Sequence, residues 1–314
     1  MVRILCLHGT GSSAQIFETQ TGSDHSALYL IHYITDYLLA AAIRACLPGH
    51  WEFCFYDADI ECGPLPQLEG LYPGPFFTNF AIPTVAVMRD IHQWLLDIVE
   101  EDGPFDGFMG FSAVRSEFCY REDLSLTERL QGGCHALSLL LKMQEEEPLR
   151  PLPFRFLICM GGNLPFSGSD NGGVDVTDWI AFHRIPVSDL KELDTFSRWA
   201  QVNQDKMPHP TDRVGISTMF HPIMDEYVLK EYSREAFLTK LIHPDVDKER
   251  LDLPTCHVYG KNDEVVDGAA KMAELCSPKF RLRYIHEGGH DVPRGKIEVT
   301  KIAHLIEKTV QASI

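Results

Sequence analysis

Six short apolar runs punctuate the chain: Val2 to Leu7, Glu52 to Tyr56, Phe105 to Phe111, Phe154 to Met160, Cys256 to Gly260 and Phe280 to Ile285. Their length and their β-branched and aromatic content are those of strands. Between them the apolar period changes. From Thr84 to Glu100, Val85, Met88, Ile91, Leu95 and Ile98 recur every three or four residues. Gly132 to Glu145 does the same through Leu137, Leu140 and Leu141, and Thr300 to Lys308 predicts a closing helix. Such spacing places one apolar stripe along each helix. Strands and helices taking turns predict an α/β fold, a mostly parallel sheet with helices on both faces, built as a single domain over residues 1–314.

Residues 163–222 break the alternation. They are polar, rich in Gly, Asp and Pro, and only patchily helical around Val187 to Val202. Two readings stand side by side: a lid-like excursion over the carboxyl ends of the strands, or a loose surface loop. Leu71 to Phe77 is an aromatic loop, placed either as the wall of a pocket or as a plug at the core edge.

Composition narrows the function classes. The 314 residues suffice for a sizeable buried core, and 45% hydrophobic with 23% charged residues is ordinary for a globular chain. A formal net charge of −17 argues against nucleic acid and anionic membranes as partners, since phosphate needs a basic surface. A small-molecule substrate suits the chain better. Nine cysteines, without a Cys-x-x-Cys pair or a zinc-like cluster, read as free and mostly buried thiols, with Cys6, Cys54, Cys159 and Cys256 in strand-like runs. Reduced thiols, a first strand that opens at Val2 and no run of membrane-spanning length lead to the expectation of a cytoplasmic protein without membrane insertion.

Candidate chemistry lies at strand ends. Acyl transfer by serine needs a nucleophile, a base, a carboxylate to orient the base, and donors for the oxyanion. Ser112 follows an apolar run and an approach glycine, Gly110. Asp263 comes just after the run Cys256 to Gly260, with Glu264 and Asp267 as competing carboxylates, each of which a helix-capping role would also explain. His290, in Glu287-Gly-Gly-His-Asp-Val-Pro293, follows the last run, with His286 close by. The order nucleophile, acid, base singles out Ser112, Asp263 and His290 jointly. The oxyanion donors would be the backbone amides of Ala113 and of Thr10, the latter in His8-Gly-Thr-Gly11. That glycine loop lacks the lysine of a phosphate-binding loop, so nucleotide binding ranks well below acyl transfer. No metal and no organic cofactor is called for.

Several tracts together resemble one family, the fungal-type small serine hydrolases known as the family of serine hydrolases, within the α/β-hydrolase superfamily. They are Ile4 to Gly11, Ile16 to Thr21, Tyr72 to Pro75, Gly103 to Ser112, Phe156 to Gly162 and Gly289 to Pro293, spread over nearly the whole chain. The resemblance implies an α/β-hydrolase fold and hydrolysis of a carboxylic ester or acyl-thioester. It carries the nucleophile, acid and base onto Ser112, Asp263 and His290. Members associated with polyketide pathways release an acyl product from its carrier, which makes a carrier-bound substrate in secondary metabolism the finer expectation. A catalytically impaired, hydrolase-like binding protein and a general carboxylesterase or lipase are the rivals.

One departure from the family pattern stands out. A nucleophile elbow reads Gly-x-Ser-x-Gly, yet Ser112 is followed by Ala113 and Val114, while Gly132-Gly133 opens a helix further on. Removing residues 114–131 restores the motif, and so does removing 113–130. The tract is read as an insertion arising from a retained intron, since valine codons begin with GT and the glutamine codon CAG ends with AG. Residues 22–40 form a second candidate insertion, for which a genuine helix around Leu28 to Tyr33 is the alternative.

Overall fold

A computed structural model describes residues 1–22, 42–64, 70, 72–80, 83–111, 133–177, 238–263, 266–290, 292–293 and 295–314. Ser112, Ala113, the tract 114–131, residues 23–40, the 178–222 part of the excursion and Glu264 lie outside these residues.

Six parallel strands make the central sheet: β1 (Arg3–Leu7), β2 (Glu52–Tyr56), β5 (Gly107–Phe111), β6 (Phe156–Met160), β9 (Thr255–Gly260) and β10 (Arg281–His286). Their order is β10-β9-β6-β5-β1-β2. Every pairing in it is parallel, so all six strands end on the same edge of the sheet. The six apolar runs are these six strands, with bounds that differ by at most two residues and coincide for β2.

Side chains alternate across the sheet and feed two cores. Leu5, Leu7, Phe108, Leu157 and Cys159 face α3 (Val85–Asp102) and α4 (Gly133–Glu146). Ile4, Cys6, Met109, Phe156, Ile158 and Val258 face α1 (Ala14–Thr21), α2 (Ala42–Ala45) and α6 (Lys296–Gln311). Burial of both faces is what a parallel sheet requires. On α3 the periodic residues Val85, Met88, Ile91, Leu95 and Ile98 are all buried, and the Thr84 hydroxyl accepts from the Val87 N–H to cap its start. On α4 the residues from Gly133 to Leu141 are buried on every side. The helix α5 (Val266–Glu274) follows β9. Among the described residues no helix is long and apolar enough to cross a membrane.

Two small antiparallel pairs escape the sequence pattern. Strands β3 (Ile60–Cys62) and β4 (Phe76–Thr78) form one, so the end of the aromatic loop is strand, and Phe76 is buried at the core edge as a plug. Strands β7 (Val174–Asp175) and β8 (Lys240–Leu241) form the other. The first part of the excursion is therefore not loose: Asn163, Leu164, Phe166, Ser167, Val174 and Val176 are all buried. Thr177 and Thr239 lie side by side, the Thr239 N–H donating to the Thr177 hydroxyl at 2.9 Å. Of the strand cysteines, Cys6, Cys159 and Cys256 are buried, whereas Cys54, on the outer strand β2, is only partly so. None of the eight described cysteines is in a disulfide, and burial pushes the Cys256 thiol up to about 12.

Candidate active site

Parallel pairing decides which loops can meet. Register partners run Leu7 with Gly110, Gly110 with Cys159, Met160 with Val258 and Gly260 with His286. The segments that follow β1, β5, β9 and β10 therefore leave the same sheet edge at nearly the same level. Ser112 is the next residue after β5 in the chain, and its own position lies outside the described residues, as does that of Ala113.

The loops after β9 and β10 are described almost completely, and they are stitched together. The Lys261 N–H donates to the His286 carbonyl at 2.7 Å, the Asn262 N–H to the Gly288 carbonyl at 3.0 Å, and the Asn262 side-chain amide to the Glu287 carbonyl at 2.6 Å. Gly260 makes this possible. A Cβ there would stand 2.1 Å from the Gly289 carbonyl oxygen and 2.4 Å from that of Gly288, far inside contact distance. The paired glycines 288 and 289 adopt no left-handed backbone, and among the described residues a Cβ on Gly289 would meet nothing nearer than 3.8 Å. The fold-back thus depends on the strand-end glycine opposite, a requirement beyond the paired glycines expected to provide it. His286 shapes the same turn, its Nδ1 accepting from the Gly288 N–H at 3.2 Å.

The result is a buried acid–base pair. His290 Nδ1 lies 2.6 Å from Asp263 Oδ2, with the side chains 3% and 0% exposed. A carboxylate can only accept, so Nδ1 carries a proton, and in the neutral ring that leaves the lone pair on Nε2, the tautomer in which an imidazole acts as a base. Asp267 sits exposed in the first turn of α5, where its charge complements the helix N-terminus.

The loop after β1 is anchored as firmly. Gly11 has φ +63°, a left-handed conformation that glycine adopts freely, and its N–H donates to the Phe77 carbonyl at 2.9 Å. The Phe77 N–H returns a bond to the Ser12 carbonyl at 2.8 Å, so hairpin β3–β4 braces the loop. Inside it, His8 Nδ1–H donates to the Gly9 carbonyl at 2.6 Å while Nε2 accepts from the Ala58 N–H at 3.2 Å. An accepting Nε2 carries no proton, so the ring is neutral; burial, holding its pKa below the usual value, acts in the same direction. The Asp57 carboxylate 3.6 Å away is thus no ion-pair partner, and it accepts from the Ala14 N–H instead. Because the peptide is planar and trans, fixing the Gly9 carbonyl aims the Thr10 N–H the opposite way. That amide has no acceptor among the described residues. The Thr10 hydroxyl lies 3.5 Å from that of Thr78, which donates to the Phe80 carbonyl.

Gly260 and His8 are the positions that the sequence did not single out. The faint signal for each was its place, a glycine or a polar ring at the last residue of an apolar run or just beyond it.

A family model described as serine hydrolase (FSH1) matches residues 1–113 and 131–302. The chain is 26% identical over 321 aligned residues to the esterase alnB of Emericella nidulans, covering 100% of this chain and 98% of that protein. It is 28% identical to the hydrolase FUB4 of Fusarium oxysporum f. sp. lycopersici, covering 98% of each. A serine hydrolase of Penicillium expansum, cnsH, is 26% identical over 78% of this chain and 94% of its own length.

Proposed function

The chain belongs to the FSH1 family of serine hydrolases, and from that premise we propose that it cleaves a carboxylic ester or an acyl-thioester through an acyl-enzyme on Ser112. The Asp263–His290 pair carries the proposal: a buried, correctly polarised base at the sheet edge where β5 delivers Ser112. His290 Nε2 takes the Ser112 hydroxyl proton as the oxygen attacks the acyl carbon, then returns it to the departing alkoxide or thiolate. Asp263 holds the imidazole in register and stabilises the imidazolium. The amides of Thr10 and Ala113 receive the negative charge on the tetrahedral intermediate. Water enters by the same base and releases the acid.

The finer reading is an acyl-thioester or ester of a polyketide-like product, carrier-bound, in fungal secondary metabolism; the resemblance to fungal esterases and hydrolases supports it, and eight described cysteines outside any disulfide suit a cytoplasmic setting. Labelling with a fluorophosphonate probe tests the core of the proposal. Labelling that disappears in Ser112→Ala is the expected result; a folded chain that never labels would instead favour a hydrolase-like binding protein, which the interrupted Gly-x-Ser-x-Gly motif also fits. Comparing kcat/KM for short aryl esters and acyl-thioesters separates a general carboxylesterase from a thioesterase, because an enzyme built for one leaving group discriminates in the transition state.

A further inference from the structure

We infer that the catalytic turn of the mature enzyme is Gly110-Phe111-Ser112-Ala113-Gly132, with residues 114–131 absent, and that residues 22–39 are absent by the same cause, both tracts being translated introns. The role given to the turn rests on the hydrolase reading; the absence of the two tracts does not.

The first support comes from helix register. Phe17, Thr21, Ile43 and Leu47 are all buried, and the three apolar ones share one core cluster with Ile4 and Cys6. Eighteen residues are five whole turns at 3.6 residues per turn, so deleting 22–39 keeps the helical phase and lets α1 run on into α2 as one helix, with Phe17, Thr21 and Ile43 at intervals of four residues. The two halves already lie against each other: the Arg44 guanidinium of α2 donates to the Glu18 carbonyl of α1 at 2.8 Å.

The second support is distance at the turn. A Cβ on Gly133, the first residue of α4, would lie 3.5 Å from Cys159 Cα, and Cys159 is the register partner of Gly110 on β5. With strands about 4.8 Å apart, the start of α4 is roughly 10 Å from Gly110. Phe111, Ser112, Ala113 and Gly132 cover such a gap easily at about 3.3 Å or more per residue. The family model also stops at residue 113 and resumes at 131, leaving out all of the tract but Gln131, whereas it runs without a break through 22–39, where the inference rests on the helix and the codons alone.

The genetic code supplies the third. Val114-Arg115 can be written GTAAGA, a splice donor in frame; Leu126-Thr127 can be written with CTGAC or CTAAC, a branch sequence; and Gln131 as CAG is an acceptor. In the other tract a Gly22 codon GGT holds GT, Thr35-Asp36 as ACT-GAC holds CTGAC, and Leu39-Ala40 as CTA-GCN holds TAG. The bases left from Gly22 and Ala40 rejoin as an alanine codon, so Thr21 runs straight into Ala40. Both tracts are eighteen codons long, so the reading frame survives with or without them. A donor at Ala113 is excluded in this frame because alanine codons begin with GC, which settles the two possible joins in favour of removing 114–131.

Sequencing the mature message across both junctions is the direct test. A message lacking both tracts is expected; one that always keeps either tract overturns the inference for it. At the protein level, the chain without 22–39 and 114–131 should melt at a higher temperature than the printed chain. It should also label with a fluorophosphonate at least about 100-fold faster, since both oxyanion amides then stand in place. Labelling of both chains at the same measurable rate, or a lower melting temperature for the short one, overturns the inference. A spliced message encoding a short chain that folds but never labels would leave the inference standing and sink the hydrolase reading.

Discussion

Two corners of one sheet edge divide the proposed chemistry, and they are built in opposite ways. The acid–base corner, after β9 and β10, is a closed unit: two loops stitched by three hydrogen bonds over a strand-end glycine, holding Asp263 and His290 at 2.6 Å. The nucleophile corner depends on how β5 is joined to α4, and there the family match is interrupted between residues 113 and 131. The contrast teaches that preparing the base and placing the group it serves are separate tasks in this fold. A folded chain with an intact His290 pair is therefore no proof of activity. Activity becomes a question about the turn at Ser112.

The strongest test of the contrast removes the base from the finished corner. In the chain lacking 22–39 and 114–131, His290→Gln is expected to lower kcat by about 10⁴-fold, and Asp263→Asn by a similar factor through the wrong imidazole tautomer. In the printed chain the same substitutions should change little, because a serine outside a competent turn gives the base nothing to do. Steady-state hydrolysis of an aryl ester reads both. A large loss in the printed chain would show that its turn is already competent and would abolish the distinction between the corners.

A second test loosens the acid–base corner without touching its chemistry. Gly260→Ala pushes a methyl group against the Gly288 and Gly289 carbonyls, so the loop that carries His290 must move by about an ångström, a displacement that typically costs about 100-fold in rate. Gly289→Ala, with 3.8 Å of clearance, should stay within about threefold of the parent, since that separation is ordinary van der Waals contact. The pair is decided by kcat measured on folded protein. Equal losses would mean that the paired glycines themselves set the loop, contrary to the geometry.

How much of this was legible beforehand follows from the range of the forces involved. The stripe of α3 could be read because helix periodicity is local, and each of Val85, Met88, Ile91, Leu95 and Ile98 is buried where the period puts it. Hairpin β3–β4 could not, because it is held by a bond between Phe77 and Ser12 from a distant loop, and pair β7–β8 joins Val174 to Leu241 across the whole excursion. Asp263 and His290 could be proposed from chain order after strand ends. Gly260 could not be assigned its task, since the constraint is a carbonyl arriving from another loop, and only the folded backbone shows that contact.

The loop after β1 offers a smaller effect that sharpens the comparison, because it should serve the nucleophile corner alone. His8→Phe keeps a buried ring of similar size but leaves the Gly9 carbonyl and the Ala58 N–H without their partner. With the Gly9–Thr10 peptide free to turn, the Thr10 amide loses its aim, and kcat should fall by about 10-fold or somewhat more while KM holds, as expected for a donor used chiefly in the transition state. The kcat and KM of the shortened chain check this. A rise in KM with kcat unchanged would place His8 in substrate binding instead.

The smallest effect concerns stability and asks whether the two corners unfold together. His135 lies in α4 beside the nucleophile corner, and His257 lies in β9 beneath the acid–base corner. Burial lowers both from 6.5 to about 3, so each stays neutral in the fold yet takes up a proton in the unfolded chain below about pH 6.5. The unfolded state then binds more protons, so stability is complete above pH 6.5 and declines as pH falls towards 3, by about 1.4 kcal/mol per pH unit for each histidine. His135→Leu and His257→Leu should each flatten that decline by one proton. At neutral pH, His135→Leu should cost nothing, since neither ring nitrogen of His135 has a hydrogen-bond partner among the described residues. Urea melts at several pH values give the slopes. If the corners belong to one cooperative unit, both substitutions reduce a single transition equally; two transitions, with only one flattened by each substitution, would show that the acid–base corner unfolds independently of the nucleophile corner.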